Sequence, residues 1–191
     1  VGGLANALYF DGSDNTQAVL KNSIVYYNGG VTSHSVRATE HVVQTMHGPT
    51  AMDQANYIDR IIDLWCKENK IASVVLDGYN LEREVKQVCK RAAQIKESGA
   101  QFVCRPDSGD PLVWIQKKKK KLSNAFGFVE NSKGYRVMKN VKILWGDGIN
   151  IKTMAEIGKM VIDLGYSIDN IVFGSGGGLL QKVCRDDFGW A

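Results

Sequence analysis

The stretch Lys142–Leu164, KILWGDGINIKTMAEIGKMVIDL, decides the fold. Its first four residues, Lys142 to Trp145, are a short apolar run that stops at Gly146-Asp147-Gly148. From Ile151 to Leu164 the period changes, and Ile157, Met160, Val161 and Leu164 recur at helical spacing. A strand, a Gly/Asp turn and an amphipathic helix make one β-α unit, and its elements recur along the chain. Ala72–Leu76 ends at Asp77-Gly78, Gln101–Cys104 ends at Arg105–Gly109, and Asn170–Phe173 ends at Gly174–Gly178. Helical spacing also covers Leu81–Ser98 and Thr50–Asn69, the latter with Tyr57, Ile61, Ile62 and Trp65 on one face. Strands alternating with helices predict an α/β fold with a parallel sheet. In such folds ligands sit at the carboxyl ends of the strands, where all four turns lie.

The bulk properties agree with one globular domain. At 191 residues, 44% hydrophobic and 23% charged, the chain can bury a core without disulfides or a structural metal. No apolar run approaches the roughly 18 residues of a membrane span, so no membrane partner is expected. Cys66, Cys89, Cys104 and Cys184 are widely separated and read as reduced thiols of a cytoplasmic protein. Val1-Gly2-Gly3-Leu4 has neither an initiator Met nor a basic leader, so the sequence reads as a piece of a longer chain. The net charge is +4, with five positives in a row at Lys117–Lys121. No aromatic residues interleave that run, so it reads as a solvated helix end or loop and nucleic acid is not an expected partner.

Four segments carry the chemistry. Gly174-Ser175-Gly176-Gly177-Gly178 lets backbone N–H groups approach a ligand and reads as a phosphate loop, a flexible turn being the alternative. In Arg105-Pro106-Asp107, extended backbone would aim Arg105 and Asp107 at one pocket; a surface ion pair is the alternative. Asp147 lies between two glycines at the next strand end and is either a turn residue or a second carboxylate beside Asp107. Two such carboxylates would stabilise the positive charge of a ribosyl transition state. His41 follows Glu40, which could tune it, whereas His34 and His47 read as structural or solvated.

These segments resemble a known family. NIVFGSGGGLLQKVCRD (170–186) closely resembles the phosphate-binding segment of nicotinamide phosphoribosyltransferases. RPDSGDP from Arg105, NSKGY from Asn131 and GDGIN from Gly146 are similar to other segments of that family, in the same order. SVRATEH (35–41) looks like its catalytic-histidine segment and FDGSD (10–14) like its base-recognition segment. The resemblance implies the central portion, residues 1–191, of an irregular parallel β/α barrel of the type II phosphoribosyltransferase kind, present as a partial chain. It implies transfer of phosphoribose from phosphoribosyl pyrophosphate to nicotinamide, with Mg²⁺ on the pyrophosphate, ATP as an optional activator and a homodimer in the full-length protein. It places Asp14 on the nicotinamide amide, Arg105 beside base and phosphates, and Asp107 and Asp147 on the ribose. Ala38 and Ser73 would line the tunnel by which the base enters, and Ser35 and Gly146 would also contact substrate. Gly174 to Gly178 and Arg185 would bind phosphate, and His41 would be the histidine phosphorylated by ATP. No protein-held metal is expected. Arg37 stands where the family has a proline, and the lysine run is also a departure. Two alternatives stay open: a nicotinate phosphoribosyltransferase, distinguished by the base it uses, and an inactive piece that only binds phosphorylated ligands.

Overall fold

The computed structural model describes residues 2–10, 12–31 and 33–176. The chain opens with three helices, α1 (Gly2–Tyr9), α2 (Thr16–Tyr26) and the single-turn α3 (His41–Thr45). Next comes α4 (Ala51–Ile61), which runs through a π turn at Ile62–Cys66 into α5 (Lys67–Asn69). The expected helix over Thr50–Asn69 is therefore present. Thr50 opens it through a capping box with Asp53.

The β-α units follow as the sequence predicts: β1 (Ile71–Val75), α6 (Leu81–Lys90), α7 (Ala92–Glu97), β2 (Gln101–Arg105) and α8 (Pro111–Phe126). An unforeseen hairpin of β3 (Phe128–Glu130) and β4 (Arg136–Met138) intervenes before β5 (Val141–Trp145), α9 (Ile151–Asp163) and β6 (Ile171–Phe173). The NSKGY segment is the hairpin turn, with Asn131 Oδ1 accepting from the Lys133 and Tyr135 amides. The helix expected over Leu81–Ser98 breaks at Arg91, whose guanidinium is held by both carboxylate oxygens of Asp59 on α4.

The four long-range strands pair in parallel in the order β1-β2-β5-β6. Each strand lies beside the one before it in the sheet, with no reversal of direction, so the crossover helices gather on one face. The core records this: Ala72, Val74, Leu76, Phe102, Cys104, Val141, Ile143 and Trp145 pack with Ile58, Val85, Val88, Ile95, Ile115 and Ile157 of the helices. The alternate strand residues, Ser73, Val75, Val103, Arg105, Lys142 and Leu144, take the opposite face. One-sided winding is the geometry of a β/α barrel rather than of a doubly wound sheet. Among the described residues the four strands do not close on themselves.

Three loops leave this sheet with the same internal spacing. An aspartate follows the strand, and three residues later a side chain caps the next helix: Asp77 and Asn80, Asp107 and Asp110, Asp147 and Asn150. The cap ties each helix start to its loop, which fixes where the preceding aspartate stands.

Lys117–Lys121 corrects one expectation. The run lies inside α8, and Lys118 and Lys119 are each only 8% exposed. A helix turns two adjacent positions inward wherever its apolar stripe passes, and the lysine stems supply the apolar surface. Lys118 pairs with Glu82, and the Lys119 ammonium stands 5.1 Å over the Tyr166 ring. Burial lowers the pKa of both. Lys118→Met should therefore change stability by no more than about 1 kcal/mol, whereas Lys118→Glu should cost roughly 2–4 kcal/mol by urea denaturation. Equal loss in both variants would assign the stability to the charge.

Among the described residues Cys66 and Cys104 are buried, Cys89 is half-buried, and all three are free thiols. Burial pushes the Cys66 thiol up to about 11. No helix among the described residues is long and apolar enough to cross a membrane.

Candidate active site

Residues 37–39 extend the sheet beyond β1. Ala38 bridges to Ser73, the Thr39 amide donates to the Ser73 carbonyl and the Ser73 amide to that of Arg37, both at 2.9 Å. Ala38 and Ser73, far apart in sequence, are thus neighbours. Arg37 contributes its carbonyl, which any residue could supply. Beneath them Thr39 Oγ1 accepts from the Val75 amide at 2.9 Å and lies 2.7 Å from the Tyr57 hydroxyl, which donates to the Val75 carbonyl. This buried knot fixes the path of the chain into Glu40 and His41.

His41 begins α3, and its Nε2 lies 3.1 Å from Asp77 Oδ1. The Asp77 side chain is 7% exposed, the His41 side chain 47%. A buried carboxylate holding one nitrogen of an exposed imidazole fixes the ring and leaves the other nitrogen free to react. Of the two possibilities for the adjacent Glu40, the structure shows the one in which it does not face His41: it pairs with Arg105, with 3.4 Å between Oε2 and Nη2. Consecutive residues at a helix start point in different directions, so adjacency did not give the partner. Asp77 was visible only as a turn residue in the sequence.

Arg105 ends β2 with its side chain 12% exposed, and its Nε lies 3.5 Å from Asp107 Oδ2. Both carboxylate contacts are long, and Nε has no hydrogen-bond partner among the described residues. A guanidinium so placed keeps donors for an anionic ligand. Asp107 reaches across to the next strand end, where a Cβ built on Gly146 would stand 3.3 Å from its Oδ1. Asp147 is exposed, and its carbonyl accepts from the Trp145 indole at 3.0 Å. Gly174 then packs on Gly146: its amide donates to the Trp145 carbonyl at 2.8 Å, and a Cβ there would meet Gly146 Cα at 3.1 Å. At Gly174 a side chain would crowd the neighbouring backbone, whereas at Gly146 the tight neighbour would be the Asp107 carboxylate, so both positions favour glycine.

A cavity of about 740 Å³ continues from this point. Its lining includes Gly174, Ser175 and Gly176, Asp14 and Ser35, and the apolar side chains of Leu144, Met154 and Phe173. Ser35 Oγ donates to Asp14 Oδ1 at 2.5 Å, and Ser175 Oγ donates to Asn6 Oδ1 at 3.4 Å. A mostly apolar lining with a few polar groups, here a carboxylate, serine hydroxyls and glycine backbone, is the composition of a small-molecule site. Gly177, Gly178, Arg185 and Cys184 lie outside the described residues. Among the described residues no group of three or more His, Cys, Asp or Glu side chains is placed to hold a metal ion.

The sequence pattern of the nicotinate phosphoribosyltransferase (NAPRTase) family matches residues 2–191. The chain is 35% identical over 188 residues to a nicotinamide phosphoribosyltransferase of Xanthomonas campestris pv. campestris, covering 97% of this chain and 40% of that protein. It is 30% identical over 200 residues to one from Mycoplasma genitalium, covering 97% and 41%, and 28% identical over 212 residues to one from Acinetobacter baylyi, covering 99% and 41%. The chain therefore spans about two fifths of the length of these relatives.

Proposed function

The chain belongs to the nicotinate phosphoribosyltransferase family, and from that premise we propose that it forms the central part of an enzyme that transfers phosphoribose from phosphoribosyl pyrophosphate to nicotinamide, giving nicotinamide mononucleotide and pyrophosphate. One observation carries the reading: of the segments singled out in the sequence, all those described except the NSKGY hairpin turn lie side by side at the carboxyl ends of the parallel strands or line the adjoining cavity. They run from His41–Asp77 through Arg105–Asp107 and Gly146 to Gly174 and the cavity.

In this reading the base lies in the cavity with its carboxamide on Asp14, and Gly174 to Gly178 hold phosphate, with Arg185 reaching it too. Arg105 steers and neutralises the phosphates. Asp107 and Asp147 face the ribose as its anomeric carbon becomes cationic, a charge they stabilise more than they stabilise neutral sugar. Mg²⁺ would arrive on the pyrophosphate oxygens, and the same two carboxylates are the hard oxygen donors suited to reach it. His41, held by Asp77, would accept a phosphoryl group from ATP and promote turnover. The three free thiols among the described residues suit a reducing, cytoplasmic setting, and the active protein would be a homodimer.

The test is product formation from nicotinamide and from nicotinate in parallel, with Mg²⁺, phosphoribosyl pyrophosphate and ATP, in the protein that carries this chain. Ionised Asp14 repels the carboxylate of nicotinate, so nicotinamide should be the preferred base. Asp14→Asn removes that repulsion, and the preference should shrink by about tenfold or more. Turnover of nicotinate but not nicotinamide by the unaltered protein would establish the other base and remove this role for Asp14.

A further inference from the structure

We infer that Glu84 is a positioning residue for His41, acting through Gln44 and the Gly78 backbone; the inference rests on the reading of His41 as the turnover-promoting group. Glu84 and Gln44 are 0% and 1% exposed, in a region where α6 otherwise contributes Val85 and Val88 to the core. Burial pushes the Glu84 carboxyl up to about 7. A well-packed apolar residue would serve stability at least as well, so the carboxyl must be explained by what it holds.

Its Oε1 accepts from Gln44 Nε2 at 2.9 Å, and Gln44 Oε1 accepts from the Gly78 amide at 2.8 Å. In either protonation state Glu84 presents an acceptor to Nε2, which fixes the Gln44 amide with its oxygen towards Gly78. Gln44 lies three residues beyond His41 on α3, and Gly78 directly follows Asp77. The network thus ties together the two backbones that carry the His41–Asp77 pair. A five-residue helix without a side-chain cap does not hold its own orientation, so such anchors set it. The fit is close: a Cβ on Gly78 would stand 2.5 Å from Gln44 Oε1, so any other residue there would have to push the Gln44 amide off the Gly78 N–H.

The test compares Glu84→Leu, Gln44→Leu and Glu84→Gln with the unaltered protein, using diethyl pyrocarbonate labelling of His41 read by peptide mass spectrometry. His34, on another segment, is the internal reference. With the anchor gone and Asp77 no longer apposed, His41 should label about threefold faster or more in both Leu variants. Glu84→Gln keeps an acceptor oxygen and should label as the unaltered protein does. In turnover, both Leu variants should lose about tenfold of ATP-stimulated kcat, with KM for nicotinamide within about twofold. Unchanged His41 labelling in both Leu variants overturns the inference. Should Glu84→Leu not fold, Gln44→Leu decides alone. Absence of product from the unaltered protein would count against phosphoribosyl transfer, while the labelling comparison would still decide the positioning role.

Discussion

Arg105→Ala should lower kcat/KM for phosphoribosyl pyrophosphate by about two to three orders of magnitude, or roughly 3–4 kcal/mol. Two effects add. The guanidinium is the nearly buried cation between Glu40 and Asp107, at 3.4 and 3.5 Å, with a donor still unused. If Arg105 binds the phosphates as proposed, its removal takes away charge-assisted bonds to them. It also leaves two carboxylates facing a polyanionic substrate without their counter-ion. Arg105→Lys should recover little, because an ammonium replaces a planar fork of five donors by a point charge. Steady-state kinetics with varied phosphoribosyl pyrophosphate measure this. A loss below about fivefold in Arg105→Ala would place the phosphate elsewhere.

Trp145→Ala should destabilise the protein by about 3–5 kcal/mol in denaturant titration. Trp145 is fully buried, and its ring packs against Trp114 at 6.1 Å between centroids, tilted by 54°. Large-to-small changes at such sites lose both transfer free energy and packing. The residue is also the hinge between core and site, since its indole donates to the Asp147 carbonyl and its own carbonyl accepts from Gly174. Trp145→Phe separates these roles. It keeps an aromatic ring in the core but removes the indole donor, which should cost only about 1–2 kcal/mol while loosening the Gly146-Asp147-Gly148 turn. Its signature should be a larger fall in kcat than the stability loss accounts for. Wild-type kcat in Trp145→Phe would show that the indole bond does not position Asp147.

The sequence by itself determined the β-α alternation, because strand and helix periods differ and each change of period coincides with a Gly/Asp turn. It placed the turns at Asp77, Arg105, Gly146 and Gly174 at one end of a parallel sheet, since the four strands they follow run the same way. For Arg105 and Asp107 it left two readings open, a shared pocket or a surface ion pair, and the structure shows them 3.5 Å apart with the Arg105 side chain 12% exposed. The tertiary structure decided the rest. Helical spacing is compatible with many lysine positions, so only packing of α8 against Glu82 and Tyr166 shows that Lys118 and Lys119 face inward. Partners distant in sequence were likewise hidden: Asp77 with His41, Arg105 with Glu40, and Glu84 with Gln44 come together only because β1, β2, α3 and α6 converge at one end of the sheet. Local periodicity reports which face a side chain takes, and non-local pairing depends on how the faces of separate elements meet.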